Sequence, residues 1–134
     1  MNDPRREKFG SYIRDLANLM DLRDWTLIII HEDPPNRSNI ASVYIPLGQR
    51  FCNIYLSTNF LTETPENQRS TIVHELTHCH FDAARKAARL SLSKKQYKIW
   101  NITFESGIDA TAVAWAKTLP LPEFPDEKKK KKKK

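Results

Sequence analysis

The sequence predicts an α+β fold, with its strands gathered in the first half of the chain and its longest helices in the second. Three observations carry this. Apolar residues recur at helical spacing between Phe9 and Met20. Three short segments between Trp25 and Ser57 are β-branched or alternate apolar with polar side chains. Two long stretches, from Thr64 to Leu90 and from Ser93 to Trp115, return to helical spacing. At 134 residues the chain is one domain with a modest core.

Each element has its own signal. Asp3-Pro4 caps a first helix whose apolar stripe is Phe9, Tyr12, Ile13, Leu16, Leu19 and Met20, and Asp21 to Asp24 break it. Trp25 to His31 is apolar on both faces, which predicts an interior strand. Glu32 to Asn39 reads as a polar loop. The second strand places Ala41, Val43, Ile45 and Leu47 on one face and Ser42 and Tyr44 on the other. Gly48-Gln49 turns the chain into a third strand, Arg50 to Ser57, with Cys52, Ile54 and Leu56 on one face. Such short connections predict a small, three-stranded, mostly antiparallel sheet.

Thr64-Pro65-Glu66-Asn67 then supplies an N-cap, a proline at the first helical position and an acidic first turn. The helix it starts carries Ile72, Val73, Leu76, Ala83, Ala84 and Ala87 at helical spacing. Ser93 with Gln96 forms a capping box for a closing helix striped by Tyr97, Trp100, Phe104, Ile108, Ala112 and Trp115. Leu119-Pro120-Leu121-Pro122 ends it. The domain is expected over 1–125, and 126–134 as a disordered lysine-rich tail.

Charge and composition narrow the setting. The formal net charge of +6 rests on the tail: without Lys128–Lys134, 15 basic residues face 16 acidic ones. A lysine run of this kind either binds nucleic acid or another polyanion weakly and salt-dependently, or only solubilises. No apolar run approaches the roughly 20 residues of a membrane span, and Met1 to Arg6 lacks a signal-peptide core. Two cysteines, Cys52 and Cys79, are too few for a disulfide framework. No membrane partner is expected, and the expected compartment is the cytoplasm.

The chemistry centres on Ile72-Val73-His74-Glu75-Leu76-Thr77-His78-Cys79-His80, which contains His74-Glu75-x-x-His78, the H-E-x-x-H pattern of zinc metallopeptidases. Residues four apart share one face of a helix, so both imidazoles can converge on one Zn2+. Glu75 sits about 100° round the helix, beside the metal, placed to hold a water rather than to ligate. Zinc lowers the pKa of that water toward about 7, and the carboxylate takes its proton. A catalytic zinc takes three protein ligands. The only histidine after His78 is His80, on a different face of the helix, and Phe81 and Ala84 stand where metzincins place a glycine and a third ligand. The third ligand is therefore a carboxylate. Glu105 and Asp109, at i,i+4 on the closing helix, both offer one; Asp82 is carried past the ion by a straight helix.

Glu105-Ser106-Gly107-Ile108-Asp109 resembles the thermolysin-like (gluzincin) arrangement, in which H-E-x-x-H is followed by a helix carrying E-x-x-x-D. That resemblance implies Glu105 as third ligand and Asp109 as the group that orients His74 through its other ring nitrogen. The layout from Asp24-Trp25 to Leu119-Pro120-Leu121-Pro122 is similar to the minimal zincin-like peptidase domains of phages and mobile elements, related to the ImmA/IrrE type. If the chain is phage-encoded, the compartment is the host cytoplasm. Tyr97, Tyr55 and His31 are candidates for the histidine or tyrosine that stabilises the transition state in thermolysin-like enzymes. Cys79 faces away from the metal, and His80 carries no assigned role.

The function expected is zinc-dependent hydrolysis of a peptide bond in a protein or peptide substrate, with Glu75 as general base. An edge strand, Phe51 to Ser57, would hold the substrate extended. The competing functions are a non-catalytic module in which zinc pins two helices together, and a nucleic-acid-associated protease that uses the basic tail.

Overall fold

A computed structural model describes residues 4–30, 32, 40–46 and 49–122. The elements follow in the order α1 (Pro4–Leu19), β1 (Thr26–Ile30), β2 (Ala41–Tyr44), β3 (Phe51–Leu56), α2 (Thr58–Leu61), α3 (Pro65–Ser91) and α4 (Lys94–Ala116). The α+β class stands, and no helix among the described residues is long and apolar enough to cross a membrane. The expected Asp3 cap, most of the loop to Asn39, His31, Leu47 and Gly48 all lie outside the described residues, as does everything from Glu123 through the lysine tail.

The sheet corrects the expectation of a mostly antiparallel meander. Its order is β1-β3-β2, with β2 antiparallel to β3 and β1 parallel to it. The β2–β3 hairpin forms as its short connection requires, but it places β3 between its two neighbours. Phe51–Leu56 is thus the central strand and not an edge. Its alternation is strict: Cys52, Ile54 and Leu56 are fully buried while Phe51, Asn53 and Tyr55 are half-buried on the other face. In turn β1, apolar on both faces, lies at an edge with Ile28 exposed.

The core lies between the Cys52/Ile54/Leu56 face and helices α1 and α3, where Ile13, Leu16, Phe60, Ile72, Val73 and Leu76 are all buried. In α1 the stripe shifts from the expected one. Leu19 is exposed, and Ala17 and Leu22 are buried instead. The cause is the helix end. Leu22 N–H donates to Ala17 O and Asp21 N–H to Asn18 O, a Schellman closure with Asp21 at φ 62°. This closure folds Leu22 back over Ala17 and leaves Leu19 outside. Helix α2 has no counterpart in the sequence reading, because four residues cannot show a period. Ser57 caps it, accepting from Phe60 N–H at 3.1 Å, and Gln68 of α3 donates to Phe60 O at 3.1 Å.

The caps of the two long helices match their sequence signals. Thr64 Oγ1 accepts from Asn67 N–H at 3.2 Å, with Pro65 opening α3. Ser93 and Gln96 exchange both bonds of the capping box, at 3.2 and 3.1 Å. Ser93→Ala is expected to destabilise the fold by about 1 kcal/mol in denaturant unfolding, the usual cost of a lost N-cap.

Past Cys79, α3 leaves the core. Ala83, Ala84 and Ala87 are exposed rather than part of a buried stripe, and α4 packs along this half. It does so with an aromatic row. Tyr97 stacks on Trp100 and Trp100 on Phe104, with centroids 5.8 and 4.5 Å apart, and Phe81 of α3 meets Phe104 edge-on at 6.2 Å. At the far end the chain is tied down by Tyr12, which donates to Pro120 O at 2.8 Å, and by Arg69, which donates to Leu119 O at 3.1 Å.

Candidate metal centre

Helices α3 and α4 form a hairpin closed by the short turn at Leu92-Ser93, so they run antiparallel. Residues at similar distances from that turn therefore face each other. An i,i+4 pair of histidines on one helix meets an i,i+4 pair of carboxylates on the other, in reversed order. The side chains meet in that way. His74 Nδ1 and Asp109 Oδ1 are 2.9 Å apart, and His78 Nε2 and Glu105 Oε2 are 3.7 Å apart.

The first of these contacts has hydrogen-bond length; the second does not. With its Nδ1 held by Asp109, His74 turns Nε2 toward His78 Nε2, at 3.3 Å. One atom each from His74, His78 and Glu105 lies within 4.8 Å of the other two. Ligands around a tetrahedral ion with metal–nitrogen bonds of about 2.0–2.1 Å stand about 3.3 Å apart. The 3.3 Å between the two nitrogens matches that spacing, Glu105 stands farther off at 3.7 Å from His78, and the donor types are ones that zinc takes. Asp109, with 64% of its side chain exposed against 33% for Glu105, sits behind His74 rather than beside the gap.

Electrostatics prepare the same atoms. Burial first, then the charges of Arg85 and His74, lower His78 from its usual range to about 4. At neutral pH it is an uncharged imidazole, the form that binds a metal. Burial pushes Glu75 up to about 8, with Arg85 opposing the shift. Glu75 makes no hydrogen bond or ion pair among the described residues. A divalent cation beside it would favour its carboxylate form.

A cleft of about 870 Å³ opens over these residues, lined on one side by His74, Glu75, His78, Glu105 and Asp109 and on the other by Ile40 to Ile45. Every residue of β2 lines it, odd and even alike, so the strand turns its unpaired edge to the cleft. The expectation that β3 serves as that edge is corrected: β3 is paired on both sides. Lys86 fixes the end of β2, donating to Ile45 O at 2.5 Å and pairing with Asp82 at 2.7 Å. Asp82 is engaged there and stands outside the three-donor group.

The remaining candidates fall elsewhere. Tyr55 projects from the opposite sheet face to Ile54, and Tyr97 lies in the aromatic row with Arg89 over its ring at 5.3 Å; neither lines the cleft. Tyr44, on β2, does. His31 lies outside the described residues. His80 is structural: its Nε2 meets Met20 O at 2.5 Å and its ring lies 5.4 Å from Trp115. Cys79 is buried away from the cleft, and its contact with Cys52, together with burial, raises the Cys52 thiol far above the usual range.

One contact of Glu105 was not anticipated. Arg85 Nη2 pairs with Glu105 Oε1. The seven-residue step from His78 to Arg85 puts both on one face of α3, and this is the signal that could have found it. Comparison of the chain with protein-family models, curated proteins and solved structures finds no match to any of them.

Proposed function

We propose that the chain is a zinc-dependent metallopeptidase of zincin-like architecture acting on a protein or peptide substrate. The observation that carries this reading is the convergence of one ligand atom each from His74, His78 and Glu105 within 4.8 Å, with half-buried Glu75 beside them in the lining of a cleft. His74, His78 and Glu105 would hold the ion. Zinc bound there supplies Lewis acidity toward a carbonyl oxygen and lowers the pKa of water.

The residues of the chain do the rest. Asp109 fixes the tautomer of His74, keeping Nε2 free of a proton and aimed at the gap. Glu75 takes a proton from the attacking water and passes it to the leaving amine. The unpaired edge of β2 offers backbone donors and acceptors to an extended peptide, which adds to the sheet as a fourth strand. From Ser70 to Arg89 the lining follows α3 for about 28 Å at 1.5 Å per residue, the length of about eight extended residues.

Metal analysis and a proteolysis screen on wild type and Glu75→Gln test the reading. Zinc held by a protein that cleaves nothing in the screen would leave the ion as a staple between α3 and α4. The two carboxylates of α4 separate further. Glu105→Ala removes a donor and is expected to lose zinc under mild chelation. Asp109→Ala removes only the support of His74, and is expected to weaken zinc by roughly 10–100-fold. Competition with a chromogenic chelator ranks them; a larger loss for Asp109→Ala would exchange their roles.

A further inference from the structure

Glu105 has two oxygens and the structure gives them different neighbours. Oε2 faces His78 Nε2 at 3.7 Å, and Oε1 is taken by Arg85 Nη2. Arg85 is itself confined. Its guanidinium lies 5.7 Å from the Phe104 ring centre, and only 26% of its side chain is exposed. Its Nε is buried without a hydrogen-bond partner. An arginine serving only to tie two helices together at the surface would turn outward and keep that N–H in water. Holding it inward costs free energy, and what it gains is one oxygen of Glu105.

We propose that Arg85 is a positioning residue that restricts Glu105 to a single ligand oxygen, Oε2, toward a metal ion shared with His74 and His78. A carboxylate can offer a metal one oxygen or both. A catalytic zinc site needs three protein ligands and one open position, and a carboxylate binding through both oxygens would take that position up. By engaging Oε1, Arg85 keeps the position open for water and substrate. The inference rests on the metal-site reading above.

Affinity alone does not test it. Removing the guanidinium releases Glu105 but also removes a positive charge near the ion, and the two effects oppose each other. Coordination is the cleaner readout. Cobalt(II) substituted for zinc absorbs visible light more strongly when four-coordinate than when five-coordinate. Arg85→Met and Arg85→Gln are expected to bind one cobalt per chain with weaker visible absorption than wild type. In a Glu105→Gln background, whose amide offers a metal only one oxygen, Arg85→Met is expected to change the cobalt spectrum no further. Infrared difference spectra of zinc-loaded wild type add a test that needs no folded Arg85 variant. With Glu105→Gln to assign the bands, the carboxylate stretches of Glu105 are expected to show the wide splitting of one-oxygen binding. Cobalt spectra unchanged in both Arg85 variants, an equal change without Glu105, or the narrow splitting of two-oxygen binding would each overturn the proposal. Failure of wild type to bind either metal would instead overturn the metal site itself.

Discussion

Glu75→Gln is expected to keep its fold and one zinc per chain while losing hydrolysis by about 10²–10⁴. The side chain is half-buried in α3, and its desolvation already pushes its carboxyl up to about 8, so a neutral amide of the same shape suits the site without new strain. The amide can still hydrogen-bond a water, but it cannot take the proton. Zinc affinity is preserved because none of the three donor atoms is touched. Single-turnover rates on any substrate found in the screen, with zinc content and circular dichroism as controls, measure the effect. Undiminished turnover in a zinc-loaded variant would remove Glu75 from the general-base role.

His74→Ala is expected to lose stoichiometric zinc altogether. The substitution deletes one of three donors and also strands Asp109, whose Oδ1 has His74 Nδ1 as its partner at 2.9 Å. His74 lines the cleft and stands outside the hydrophobic core, so the metal-free protein should unfold at nearly the wild-type temperature. The difference appears when zinc is added. A ligand at 100 times its dissociation constant stabilises the folded state by about 2.7 kcal/mol, so wild type gains a clear thermal shift and the variant gains none. One tight zinc remaining in His74→Ala by elemental analysis would place the site elsewhere.

How much of the site was legible can be followed residue by residue. The two i,i+4 pairs are local facts, and the helix period alone makes each pair share a face. Which histidine meets which carboxylate also follows from the chain. Counted from Leu92, His78 and Glu105 lie 14 and 13 residues away, and His74 and Asp109 lie 18 and 17. Arg85 escapes this counting. Seven residues before Leu92, it stands level with the first turns of α4, and reaches Glu105 only because helical side chains lean toward the N-terminus. Its length, not its position, makes the contact.

The α+β class, the buried face of β3, the caps of α3 and α4 and the meeting of His74 and His78 with Asp109 and Glu105 were all readable in order along the sequence. Each depends on period, capping chemistry or spacing within one element or one hairpin, where the chain itself supplies the geometry. Strand order was not readable. A strand offers the same backbone groups on both edges, and nothing in Thr26–Ile30 says whether β2 or β3 will pair with it. The tertiary structure settled that by inserting β3, and so made β2 the strand beside the cleft. It likewise exchanged Leu19 for Ala17 and Leu22, because a helix end in the left-handed region redirects the chain by an angle that no periodicity records. Local order comes from bonds between neighbours in sequence; the edge that faces the cleft comes from contacts between elements far apart in it.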